Sequence, residues 1–305
     1  MHAIITACTN GKHHDADMRT TARDLPDGSL GDVSAEWKSR ISLAPKVAVA
    51  KDLYSGRSFS LAMSAAARVK AKPYVISAGL GFLESEQQVP AYNLTVSPGA
   101  ADCVLQHIKP KASGADWWQT LIDLDDVRAT LNSIDGLILV AVGSAYLRML
   151  EPVLLSLPDD SLERLRIFAG AANSTTSMRL GAQILPYDAR LDGPQSPIPG
   201  TKIDFASRAL YHFVTTVLQD QPNGKVVSQA KQVETIMSTW TRPSVSVGTR
   251  RSDADIKTLL RQHWDRTGGS TTKLLRVLRD ELAIACEQKR FARLAGQVRS
   301  EGVRV

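Results

Sequence analysis

Four short, continuous apolar runs punctuate this chain, at residues 2–8 (HAIITAC), 73–76 (PYVI), 136–143 (GLILVAVG) and 165–170 (LRIFAG). Their lack of apolar–polar alternation is the mark of strands buried on both faces. Between them the apolar positions return at helical intervals: Leu53, Phe59, Leu61, Ala62, Ala65, Ala66 and Val69 within 47–71, and Trp118, Leu121, Ile122, Leu124, Val127 and Leu131 within 117–134. The same reading places helices at 99–108, 144–157, 204–219 and 226–240, a fifth strand at 183–187, and loop over 188–201, where prolines cluster. Strand and helix alternate, so the pattern predicts an α/β fold: a doubly wound, mostly parallel sheet with helices on both faces.

Past residue 240 the pattern changes. Residues 241–252 (TRPSVSVGTRRS) read as a connector, and helices at 254–264, 270–288 and 289–298 follow, separated by tight turns. This predicts one α/β domain over 1–240 and a small all-helical, helix-turn-helix-like domain over 241–305. In such a module Ser270, Thr271, Thr272, Lys273 and Arg276 lie on the first turns of a recognition helix and face phosphates, with Arg250 and Arg251 in the connector before it. The alternative for this tail is a helical dimerisation element.

The charge distribution bears on that choice. The chain carries a net charge of +6, and residues 240–305 hold 14 Lys+Arg against 7 Asp+Glu, so the basicity belongs to the tail. A local excess of that kind attracts polyanions, nucleic acid first among them. Three scattered cysteines, Cys8, Cys103 and Cys286, offer neither a disulfide framework nor a paired metal-ligand motif, which fits a reducing cytoplasm. His13 and His14 beside Cys8 lack the spacing of metal ligands, so neither a metal nor another cofactor is expected. No apolar run approaches the ~20 residues needed to cross a bilayer, and a cytoplasmic protein without a membrane partner is the expectation.

The chemistry-bearing stretch is 72–98 (KPYVISAGLGFLESEQQVPAYNLTVSP). It reads as a buried strand broken by Gly79 and Gly81, which let a ligand approach the backbone, followed by a polar loop. Glu84, Glu86, Tyr92 and Asn93 then fall just past the strand's carboxyl end, where open α/β sheets bind ligands. Asn10 and Lys12 after the first strand, Ser144 and Tyr146 after the third, and Asn173 and Ser174 after the fourth occupy corresponding positions, so all are expected to converge on one crevice. Simple N-capping is the competing use of the hydroxyl residues among them. Cys8 is expected to pack as a small buried hydrophobe.

Two stretches, Ser77-Ala78-Gly79-Leu80-Gly81-Phe82-Leu83 and Val89-Pro90-Ala91-Tyr92-Asn93, together with Cys8, Lys12 and Lys51-Asp52-Leu53-Tyr54-Ser55-Gly56, resemble the YaaA-like proteins over roughly the first hundred residues. That resemblance implies DNA binding and nucleobase modification, and draws Tyr54 into the substrate site. A looser likeness, to the uracil-DNA glycosylase superfamily, rests on the glycine-bearing acidic loop, on Gly143-Ser144-Ala145-Tyr146, and on Asn173-Ser174-Thr175 where glycosylases carry a His-Pro-Ser type element. No histidine stands there in this chain, which implies a pocket rebuilt for another base. Anti-phage glycosylases that remove modified cytosines are similar in plan.

The resulting expectation is a DNA glycosylase that flips a modified base, such as glucosylated hydroxymethylcytosine in double-stranded phage DNA, and leaves an abasic site. Glu84 or Glu86 would stabilise the oxocarbenium character that builds at the sugar. Tyr92 would stack on the base and Asn93 would read its edge. The alternatives are a non-catalytic DNA-binding or regulatory protein, and a transferase acting on a deazaguanine-type base.

Overall fold

A computed structural model of the chain describes residues 1–169, 178–243 and 248–301. They form two compact units, Met1–Pro243 and Ser244–Val305. The strands are β1 (Ala3–Ala7), β2 (Lys46–Val49), β3 (Lys72–Ser77), β4 (Gly81–Glu84), β5 (Gln88–Pro90), β6 (Ile138–Ala141), β7 (Leu165–Phe168), β8 (Thr249–Arg250) and β9 (Ile284–Ala285). The main sheet runs in the order β4-β3-β1-β6-β7. β3, β1, β6 and β7 are parallel, and β4 closes one edge antiparallel to β3.

Adjacent residues of the central strands feed two separate cores, as the period of a strand requires. Ile5, Val75, Val140 and Ile167 point to the face covered by α1 (Leu30–Leu43), α4 (Gly114–Gln119), α5 (Leu124–Asn132) and α6 (Ser144–Leu155). Ile4, Leu139, Ala141 and Phe168 point to the other, covered by α3 (Arg57–Arg68) and the helix Phe205–His212, which runs on through a π-helical turn. The sheet is therefore doubly wound. In the sheet β1 has β3 on one side and β6 on the other, so the direction of strand addition reverses between β1 and β6, the place where open α/β sheets form a ligand-binding crevice at the strands' carboxyl ends.

Several expected elements are redrawn. The stretch after β3 is a hairpin and not a polar loop: residues 81–84 turn back along β3, pairing Gly81 with Ser77 and Glu84 with Tyr74. Phe82 stacks on Tyr74 with ring centroids 5.1 Å apart and Leu83 is buried, enough apolar surface to hold an edge strand. Glu84 is thereby carried to the amino end of β3, where Lys72 Nζ donates to it at 2.5 Å. Glu86 stays on the surface, paired with Lys51 at 2.8 Å. The helical pattern over 47–71, with its start read at Ser58 from Ser55 and Gly56, is met by α3, which begins at Arg57; ahead of it lie β2, which pairs antiparallel with β5, and the short helix α2 (Ala50–Leu53). Residues 183–185 contribute a single bridge alongside β7 in place of a full strand.

In the second unit the helices Asp253–His263, Thr271–Arg276 and Gln288–Ser300 pack around Ile256, Leu260, Leu274, Phe291, Leu294 and Val298. The unit is not purely helical. Gly268 and Gly269, both at positive φ, form the turn before Thr271, and residues 271–288 break after Glu281 into the short parallel pairing of β9 with β8.

Candidate functional site

The segments leaving β1, β3 and β6 meet in one cluster. Cys8 directly follows β1, and its backbone N–H donates to Ile76 O of β3 at 2.9 Å. Its thiol lies 3.2 Å from the hydroxyl of Tyr146, on the first turn of α6. This contact joins the segments that leave β1 and β6. Cys8 is half-buried and packs against the core, as expected of a small hydrophobe, and its thiol also has a polar partner in Tyr146.

After Cys8 the chain folds back against residues 53–55. Thr9 Oγ1 donates to Ser55 O at 2.8 Å, Ser55 N–H donates to Gly11 O, and Lys12 bridges Tyr54. This places Lys12 Nζ 4.5 Å from the centre of the Tyr92 ring, within the range of a cation–π contact. Among the described residues Lys12 has no carboxylate partner and no hydrogen bond. The carboxylate whose field reaches it, Asp102, is held by Arg23 through contacts of 2.9 and 3.2 Å. Burial lowers the Lys12 ammonium below the usual lysine range, against the upward pull of Cys8 and Asp102.

Behind this pair runs a chain of hydroxyls. Ser77 Oγ accepts from the N–H groups of Gly79 (3.2 Å) and Leu80 (2.9 Å), and lies 2.7 Å from Tyr92 Oη. Tyr92 Oη in turn lies 3.1 Å from Tyr54 Oη. With its acceptor sites used by two backbone groups, Ser77 donates its proton to Tyr92, and Tyr92 donates to Tyr54. The Tyr54 proton is then the end of the relay. Burial, reinforced by the charge of Cys8, raises the phenols of Tyr54, Tyr92 and Tyr146 well above the ordinary tyrosine range, so all three are protonated donors at neutral pH.

Three tryptophans fix the backbone of this turn. Trp118 Nε1 donates to Ser77 O (3.1 Å), Trp117 Nε1 to Ala78 O (2.8 Å) and Trp37 Nε1 to Gly79 O (2.6 Å). Each indole is fully buried and so needs an acceptor, and the three consecutive carbonyls supply one apiece. Sequence reasoning placed Trp117 and Trp118 in a helix for their apolar character and did not single out Trp37. The signal was their chemistry, since a buried Trp carries an N–H that must be satisfied.

The other expected site residues fall elsewhere. Glu84 and Glu86 are at the opposite end of β3, as exposed ion-pair partners, because the hairpin reverses the chain before it reaches them. Tyr92 is fully buried, with Lys12 over its face, so it supports the site from behind and offers no ring to a base. Tyr146 is the partly exposed aromatic in the crevice. Asn93 is occupied through its backbone, pairing with Thr20 and Ala22. Asn10 is exposed at the loop tip, and Ser144 is exposed at the start of α6. Gly81, at φ +78°, packs against Leu121 and Ile122 as a hairpin residue. Asn173 and Ser174 lie outside the described residues.

In the second unit Thr271, Lys273 and Arg276 are exposed, and neither cation has an ion-pair partner among the described residues. Ser270 caps the helix position without a side-chain hydrogen bond. Arg250 lines a cavity of about 700 Å³ together with Arg279, Asp280, Glu287 and Arg290. Arg251 is exposed, and its carbonyl accepts from Arg290. Among the described residues no group of three or more His, Cys, Asp or Glu is placed to hold a metal, and no helix is long and apolar enough to cross a membrane. Compared with known protein families, curated proteins and solved structures, the chain matches none.

Proposed function

We propose that this chain is a DNA glycosylase that hydrolyses the N-glycosidic bond of a modified base, with its site in the crevice between β1 and β6. The observation that carries the reading is the convergence there of an amine without an ion-pair partner among the described residues (Lys12), a thiol (Cys8) and a partly exposed aromatic ring (Tyr146). A base drawn out of a duplex needs a ring to stack on and donors that bind its edge or its departing charge. Tyr146 supplies the ring and Lys12 supplies a donor. Glutamates 84 and 86 have no part in this version, since both belong to the opposite end of the sheet. The duplex itself is the task of the basic second unit, whose helix-turn-helix character belongs to the same proposal.

The test is to incubate the purified protein with unmodified phage DNA and with DNA carrying glucosylated hydroxymethylcytosine, then to treat both with alkali. Strand breaks confined to the modified DNA are the expected result. Binding to both DNAs with no breaks in either overturns the reading and leaves a non-catalytic DNA-binding protein.

A further inference from the structure

A glycosylase that stabilises its transition state through a carboxylate needs that carboxylate beside C1′ of the sugar. Among the described residues no carboxylate forms an ion pair or hydrogen bond with Lys12, Cys8 or Tyr146, the groups that meet at the ends of β1 and β6. Asp102, whose charge reaches Lys12, is engaged by Arg23 through two contacts. An amine, a thiol and a phenol are thus the groups nearest to hand.

Lys12 is placed to act. Its stem lies between the loop leaving β1 and the Tyr92 ring, and its backbone is tied to Tyr54. A lysine paired with a carboxylate is a charged structural group. Lys12 has no such pair among the described residues, and burial lowers its ammonium, against the Tyr92 face, which favours the charged form. Cys8 competes less well, because its sulfur is already engaged by the Tyr146 hydroxyl at 3.2 Å.

We propose that Lys12 Nζ is the nucleophile, attacking C1′ of the deoxyribose and holding the abasic product as an imine. In the first step the Nζ–C1′ bond forms as the C1′–base bond breaks. The base leaves with the bonding pair, and the proton lost from the amine balances the one the base gains. In the second step the sugar ring opens: the C1′–O4′ bond breaks, O4′ takes the remaining amine proton, and C1′ becomes double-bonded to Nζ. Water then hydrolyses the imine, returning the amine and an abasic aldehyde. The same imine forms directly from an abasic sugar by loss of water. The proposal rests on the glycosylase reading for its substrate, yet this last reaction tests it without knowledge of the base.

The experiment treats the full-length protein and a duplex oligonucleotide bearing one abasic site with sodium cyanoborohydride, which reduces an imine to a stable amine. The expected result is a protein–DNA adduct that survives denaturing electrophoresis and maps by peptide mass to Lys12. It should be lost in Lys12→Met, which keeps the stem over Tyr92, and in Lys12→Arg, and be retained in Lys38→Met. A thiol adduct from Cys8 would not be trapped by hydride. Undiminished trapping in a folded Lys12→Met protein overturns the proposal. Base excision by the wild type without any trapped adduct also overturns it while leaving the glycosylase reading intact; absence of both excision and adduct removes both.

Discussion

The Tyr92 ring fills the space that a side chain on Gly79 would need: a methyl group there would lie 2.5 Å from Tyr92 Cε2 and 2.7 Å from Cδ2. The ring has nowhere to retreat, since its hydroxyl is held by Ser77 and Tyr54 and its face by Lys12. Gly79 is thus required by close approach. Its carbonyl is also held, by Trp37. Gly79→Ala should overpack this contact and destabilise the protein by about 1–3 kcal/mol, read as a lowered urea midpoint. A midpoint equal to that of the wild type would mean that the ring is free to move.

The hydroxyl relay sets a second expectation. Tyr92→Phe leaves the ring in place but strands the buried hydroxyls of Ser77 and Tyr54. Unsatisfied buried groups cost about 1–3 kcal/mol, so the loss should exceed what one missing neutral hydrogen bond accounts for. Tyr54→Phe removes only the terminal member of the relay and should cost less. Chemical denaturation of both variants gives the comparison, and equal losses would contradict the direction assigned to the relay.

The exposed glutamates should be dispensable. Glu84 and Glu86 form solvated pairs with Lys72 and Lys51, and pairs of this kind contribute little to stability. Glu84→Gln and Glu86→Gln are expected to melt with the wild type and to retain whatever excision activity it has. Abolished excision with unchanged melting in either would restore a carboxylate mechanism.

The strands, their alternation with helices and the doubly wound sheet were legible because burial on both faces writes itself as continuous apolar runs such as 136–143. The site was legible in part. Lys12, Tyr54, Gly79, Tyr92 and Tyr146 were singled out and do come together: Lys12, Gly79 and Tyr146 because they lie just past parallel strands, Tyr54 and Tyr92 through the pairing of Lys12 with Tyr54 and the contacts of Tyr92 with Tyr54 and Gly79. The glutamates were misplaced because a single sequence does not distinguish a loop after Gly81 from a strand that turns back. Phe82 and Leu83 decide that by packing on their neighbours. The tryptophan carbonyl clamp was illegible for a related reason: Trp37 lies 42 positions from Gly79, and only the fold makes them neighbours.

Acid should weaken the first unit before its carboxylates titrate. His212 Nδ1 lies 2.8 Å from the Tyr187 hydroxyl, and its ring packs edge-on to Trp240. Burial lowers its pKa from the ordinary 6.5 to about 4. The folded state therefore favours neutral imidazole while the unfolded chain binds the proton more readily, so this contribution is present above pH 6.5 and is lost as pH falls towards 4. His2 acts in the same direction, lowered by burial and then by the amino-terminal charge, with Nδ1 accepting from Leu137 N–H at 2.9 Å. Each group contributes a slope of at most about 1.4 kcal/mol per pH unit. Urea midpoints between pH 7 and pH 4.5 should fall accordingly. His212→Gln should be less stable throughout but with a shallower fall, and an unchanged slope would rule out His212 as its source.

The basic tail should position DNA without taking part in the chemistry. Lys273 and Arg276 are exposed on the short helix Thr271–Arg276 and carry no compensating ion pair among the described residues. Other cations of the unit are already matched, Arg290 and Arg293 by Asp253 and Arg261 by Glu301, and so have less to gain from a phosphate. Each phosphate neutralised on duplex DNA contributes a slope of about −0.9 in log affinity against log salt. Replacing Lys273 and Arg276 with Gln should therefore flatten the salt dependence by up to about two units, and weaken binding to all sequences alike. The excision rate at saturating protein should be unchanged, because Lys12, Cys8 and Tyr146 belong to the other unit. Fluorescence anisotropy at several salt concentrations, beside single-turnover excision on the same duplex, separates the two effects. An unaltered salt slope would show that this helix does not meet the backbone, and a reduced saturating rate would show that the tail does more than hold the duplex.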